Sequence, residues 1–142
     1  MGVWIVSSFV ALSFGAYYFY IRVKKRKLME LLDARLQLEH QEFGPAYFAH
    51  SPLRAQLASD VRVILSRHVP VPLDGLSPQD KFQEQLMMDT FDSMSSAQFI
   101  AELEGRYGIS FRDEKALDRD LTFSQLIDLI EDRLTDLHPG RK

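Results

Sequence analysis

The sequence predicts an all-α protein, and three observations carry that expectation. Apolar residues recur at helical spacing in three separate runs, starting at Leu53, Met94 and Phe123. Helix-start residues precede each run: Ser51-Pro52, Asp92 and Thr122. A fourth segment, 3–21, is apolar almost throughout and holds no charged residue, close to the ~20 residues a helix needs to cross a bilayer.

Length and charge bound the rest. With 142 residues the chain amounts to about one domain, and a formal charge of −3 gives no nucleic-acid footprint. The balance is uneven. Arg22, Lys24, Lys25, Arg26 and Lys27 cluster near the start, so the remainder is clearly acidic and suits a partner with a basic docking surface. Cysteine is absent, which removes disulfides and thiolate metal sites from consideration.

In the apolar run, Tyr17, Tyr18 and Tyr20 lie at the C-terminal end, where aromatic rings favour a membrane interface. The basic cluster follows at once and places the C-terminal side in the cytoplasm by the positive-inside rule. A cleaved signal peptide would carry basic residues before its apolar core, and none is present. A myristoylation site would need Ser or Thr at the position of Val6. Residues 1–27 are therefore expected to be a single-pass anchor with a basic stop, and the run is too long to hide easily in so small a core.

Residues 28–50 are expected to be a helical stalk and linker. Leu28, Leu31, Leu32, Leu36 and Leu38 alternate with charged residues over 27–42 without keeping a long heptad, so packing on the chain's own domain or on a membrane partner is preferred to a coiled coil. Gly44-Pro45 is expected to break this helix. Residues 46–50 then form a linker with Tyr47 and Phe48.

Ser51-Pro52 starts the next helix, with serine as N-cap and proline at the first helical position. Its apolar face is predicted from Leu53, Leu57, Val61, Ile64 and Leu65, with Arg54, Asp60, Arg62 and Arg67 mainly elsewhere, and it should end near Pro70. A long connection, 69–91, follows. Within it, residues 80–86 form a short turn that plugs Phe82 and Leu86 into the core. Met87, Met88 and Phe91 are open to two readings, as core side chains or as an exposed partner patch.

The stretch 92–107 is the centre of the sequence. Met94, Ala97, Ile100, Ala101, Leu103 and Tyr107 define an apolar helix face, and Asp92 can cap its start. Ser93 then falls in the first turn, where unpaired N–H groups and the helix dipole would stabilise a phosphate esterified to it. Gly108 is the expected C-cap, with Ile109 and Phe111 facing inward. A short irregular helix is expected near Ala116 and Leu117. Thr122 caps the last helix, whose core face is Phe123, Leu126, Ile127, Ile130 and Leu134. Residues 138–142 are a polar tail.

Asp92-Ser93-Met94 at a helix start, the apolar rhythm behind it, the Tyr107-Gly108-Ile109 exit and the downstream helix together resemble an acyl carrier protein or peptidyl carrier protein. The Asp80-x-Phe82-x-x-x-Leu86 segment extends the resemblance. It implies a four-helix acyl-carrier-like bundle over 51–137, preceded here by the transmembrane helix and stalk. It also implies a 4′-phosphopantetheine arm on Ser93, flanked by Asp92 and Met94 as recognition residues. One departure is clear. Carriers place a glycine and one or two residues between that leucine and the Asp-Ser pair, whereas Met87-Met88-Asp89-Thr90-Phe91 intervenes here without glycine. Met-Ser-Ser-Ala-Gln after Asp92-Ser93 is similar to D-alanyl carrier proteins, a hint toward an activated amino acid or short acyl group delivered near a membrane acyltransferase.

On this resemblance the chain is not an enzyme. His40, His50, His68 and His138 are scattered, and no HExxH, GxSxG or phosphate-cradling glycine loop occurs, so neither catalytic residues nor metal ligands are assigned. A phosphopantetheinyl transferase, using coenzyme A and a divalent metal, would modify Ser93. A loading enzyme would charge the arm's thiol with an acyl or aminoacyl thioester for a synthase or membrane acyltransferase. Glu102 and Glu104 could be read by basic residues on those partners. The rival reading is an unmodified, membrane-anchored interaction scaffold that docks through Met87, Met88, Phe91 and Met94.

Overall fold

The computed structural model describes residues 2–88, 93–112 and 120–137, with side chains of residues 13–88, 94–112 and 120–137. The described residues form five α-helices and no strand: α1 (Gly2–Asp33), α2 (His40–Phe48), α3 (Pro52–Leu65), α4 (Ser93–Tyr107) and α5 (Phe123–Leu137). The all-α class is as predicted. An isolated antiparallel bridge, Lys81 to Thr122, is the nearest approach to sheet pairing.

The core is one cluster centred on α3, which packs against α2, α4 and α5. Ala58, Val61 and Leu65 of α3 are fully buried beside Phe43, Leu103, Phe123, Ile127 and Ile130. Phe43 meets Phe123 edge-on at 5.3 Å between ring centres, a geometry that suits the aromatic quadrupoles. Local start signals act as the sequence predicts. The Ser51 hydroxyl accepts from the Arg54 N–H with Pro52 at the first helical position. Thr122 and Gln125 cap α5 reciprocally, each backbone N–H donating to the other's side-chain oxygen. Gly108 closes α4 at φ +66°, a conformation that costs glycine little.

α1 is a single 32-residue helix, about 48 Å long at 1.5 Å per residue. Among the described residues, no helix is long and apolar enough to cross a membrane. The side chains of residues 2–12, within the predicted anchor, lie outside the described part. The far end of α1 enters the core: Leu28 and Leu32 are buried, with Ile21 and Met29 packed against the same cluster.

The segment after α1 differs from expectation. The helix predicted over 27–42 stops at Asp33, and the break expected at Gly44-Pro45 is absent, since both residues lie inside α2. Gly44 serves close approach instead. A Cβ there would sit 1.9 Å from the Ala55 carbonyl oxygen, and the Gly44 N–H donates to Ser59 Oγ across the α2–α3 crossing at 3.0 Å. Pro45 falls late in a nine-residue helix, three residues from its end, so little helix remains for it to disrupt.

Arg62 overturns its predicted placement. It is fully buried, not on the outer face of α3. Its guanidinium donates to the carbonyls of Leu38 (2.6 Å), Glu39 (2.9 Å) and Leu73 (2.7 and 3.1 Å), and stacks over the Phe43 ring at 4.9 Å. Burial pulls its pKa below the ordinary value, and the Asp74 carboxylate opposes that pull. Conversely, Leu53, expected on the core face, is 84% exposed. The irregular segments 34–39 and 66–78 supply carbonyls that a charged donor can gather, and the helical period alone does not show them.

Candidate functional site

The site is approached through the connection between α3 and α4. Asp80, itself buried, accepts from the Ser77 N–H at 2.8 Å and from Arg35 at 2.6 Å. The turn is sewn to the start of α5 by three backbone bonds: Phe82 N–H to Leu121 O, Phe123 N–H to Asp80 O and Ser124 N–H to Pro78 O. Leu86 is fully buried and the Phe82 ring packs at 5.9 Å from that of Phe99, as the predicted plug requires.

Met87 and Met88 follow, and both are buried. The exposed docking patch that these two side chains could have formed is therefore corrected to core packing. Met87 also has φ +56°, the left-handed region that disfavours a residue with a Cβ. It stands directly after Leu86, in the interval where the carrier pattern has glycine. The chain adopts the left-handed backbone conformation there with a buried thioether side chain, and the Met88 N–H donates to Phe82 O at 3.1 Å. Phe91, Asp92 and the Ser93 side chain lie outside the described residues.

Helix α4 begins on Ser93. Its buried stripe is Phe99 and Leu103, with Ile100 and Tyr107 packed alongside. Met94, Ala97 and Ala101, predicted to face the core, are exposed, Met94 by 63%. Phe99 and Leu103 remove more apolar area from water than the two alanines could. The face turned outward from the Ser93 end is thus Met94, Ala97, Gln98, Ala101 and Gly105.

Glu102 and Glu104 are committed within the chain. Glu102 accepts from Arg67 at 2.5 Å and from His68 Nε2 at 2.7 Å, joining α4 to the end of α3. An ionised carboxylate has no proton to give, so the imidazole carries hydrogen on Nε2. The hydrogen bond from His68, and after it the attraction of Arg67, hold the Glu102 carboxyl below the usual range against some desolvation. Glu104 accepts from the Phe111 N–H at 2.7 Å and fixes the chain leaving α4. Both carboxylates thus also position α4 within the chain. Tyr107 is half-buried with its hydroxyl unpaired among the described residues, and burial pushes its pKa up to about 12.

The sequence reading missed Arg62 and the His68–Glu102–Arg67 cluster. A histidine and an arginine next to each other at a helix end are the only local trace of that cluster.

No protein-family model matches the chain, and no curated protein sequence matches it.

Proposed function

We propose that the chain is a membrane-tethered carrier. A 4′-phosphopantetheine arm on Ser93 holds an acyl or aminoacyl group as a thioester for a synthase or membrane acyltransferase. The single observation that carries this reading is that α4 spans Ser93–Tyr107, so a phosphate on Ser93 would lie at the N-terminal end of a fifteen-residue helix, where backbone N–H groups and the dipole favour an anion.

Further support comes from the surroundings. The Phe82–Leu86 plug and the left-handed backbone at Met87 fix the chain up to Met88, five residues before Ser93. Glu102 and Glu104 fasten α4 to neighbouring chain, and Met94, Ala97, Gln98 and Ala101 lie on its exposed face, open to a modifying or acylating enzyme. In the transfer, the Ser93 hydroxyl displaces the nucleotide half of coenzyme A and loses its proton. The chain supplies the acceptor oxygen and its helical setting, and the partner supplies the base and the metal. Anchoring through residues 1–27, with the carrier on the cytoplasmic side, raises the effective concentration of the thioester at the bilayer.

The unmodified-scaffold reading loses two of its four docking side chains, Met87 and Met88, to the core. Incubation of the full chain with coenzyme A, magnesium and a phosphopantetheinyl transferase tests the proposal. One arm's mass should appear on the chain and be absent from Ser93→Ala.

A further inference from the structure

The exposed part of α1 carries two consecutive rings. Tyr17, Tyr18, Phe19 and Tyr20 are each more than half exposed, and so is Phe14 one turn earlier. Four consecutive helical residues, about 100° apart, point to all sides of the axis. A protein partner with one binding face would cover one side of such a band. Only a surrounding medium covers all of it. The second ring begins two residues on, about 3 Å along the axis. Arg22, Lys24, Lys25, Arg26 and Lys27 are again distributed around the circumference, with Arg22, Arg26 and Lys27 exposed and Lys24 and Lys25 half-exposed. Glu30 pairs with Arg26 at 3.0 Å.

The helix is also fused to the bundle at this level. Ile21 and Met29 pack against the core and Leu28 and Leu32 lie in it. Gly75 approaches so closely that a Cβ would lie 2.1 Å from the Leu32 carbonyl oxygen. Arg35 ties the chain beyond α1 to the buried Asp80 at 2.6 Å. The bundle therefore starts within about one helical turn of the aromatic ring, with no spacer between them. The chain's formal charge is −3, and would be −8 without the five cations, so an acidic body is held close to whatever the rings contact.

The geometry points to the anionic headgroup layer of a bilayer as the ligand of the Arg22–Lys27 ring, with the aromatic ring seated at the interface just inside it. A surrounding sheet of negative charge is the complement of a surrounding ring of positive charge. It also offsets the repulsion that the acidic bundle would meet at such a surface. This inference rests on the membrane half of the proposed function and is independent of any group on Ser93.

The test uses the full chain with Val23→Cys, a clean labelling site because the chain has no other cysteine. A fluorophore there is read in bilayers holding equal small fractions of spin-labelled phosphatidylglycerol or spin-labelled phosphatidylcholine. At low salt the anionic lipid should quench about twofold or more strongly than the zwitterionic one, since each nearby cation attracts it. High salt should erase the excess, as should replacement of Arg22, Lys24, Arg26 and Lys27 by glutamine. The salt titration keeps the test decisive if that variant fails to fold. Equal quenching by both lipids at low salt overturns the headgroup assignment while leaving membrane attachment intact. Quenching by neither overturns the assignment and the membrane attachment together, and indicates that protein covers the rings. Modification of Ser93 is read separately by mass, so the two failures are distinguishable.

Discussion

Replacing Arg62 by methionine removes a buried cation of similar length while keeping an unbranched apolar stem. The guanidinium serves three carbonyls. Two of them keep a second donor: Glu39 O accepts from the Glu42 and Phe43 N–H groups, and Leu73 O from Leu76 N–H. Leu38 O accepts from Arg62 alone among the described residues, so it is left unpaired in a half-buried place, at no more than about 1–3 kcal/mol. Loss of the remaining charge-assisted bonds adds about 1.5–3 kcal/mol each before correction. Against this stands the relief of a desolvation penalty worth several kcal/mol in a real interior. The net expectation is a loss of about 2–4 kcal/mol. Arg62→Lys should do no better, because a compact ammonium cannot span three carbonyls as a planar fork does. Urea unfolding of the full chain in mild detergent, followed by far-ultraviolet circular dichroism, reads the effect. A loss below about 0.5 kcal/mol for Arg62→Met, the range of an ordinary surface change, would refute the assignment of Arg62 as the tie between residues 38–39, 73 and α3.

Three further outcomes follow from the same geometry. At Met87, alanine should be worse than glycine by about 1 kcal/mol, because both lose the buried thioether but only alanine keeps the left-handed strain; the reverse order in denaturation midpoints contradicts that backbone assignment. The carboxyl of Glu102 lies below its ordinary 4.5 in the folded state, so its contribution to stability is full above that pH and declines as pH falls through the depressed value. Unfolding midpoints of Glu102→Gln should therefore change less across that acid range than those of the parent chain, and equal slopes would contradict the pairing with His68 and Arg67. Gly75→Ala should force the last turn of α1 from its seat, costing about 1–3 kcal/mol and opening residues 34–39 to limited proteolysis; an unchanged digestion pattern contradicts the fusion of α1 to the bundle.

Much of the helical frame was legible because its signals are local. Ser51-Pro52, Thr122 and Gly108 each act on backbone groups within four residues, and each is found doing so. The departures have a common cause in partners distant along the chain. α4 carries apolar residues on two stripes, and the choice of Phe99 and Leu103 over Met94 and Ala101 depends on Phe82 and His68 lying beneath. Gly44-Pro45 has the composition of a break, yet Gly44 is required because α3 crosses there. Arg62 looks solvated until carbonyls from 38, 39 and 73 converge on it. In the connection before Ser93, the missing glycine was visible, but the left-handed backbone at Met87 was not.

The central claim is that Ser93 is the acceptor of a phosphopantetheine arm. Intact-mass spectrometry of the full chain purified from its native host, beside Ser93→Ala expressed in the same way, tests it most directly. The account predicts a parent chain heavier by one arm or by its acylated form, with the extra mass localised to the Ser93 peptide, and an unmodified variant. A parent chain of unmodified mass while the host's other carriers are loaded, or the same added mass on both proteins, would contradict it.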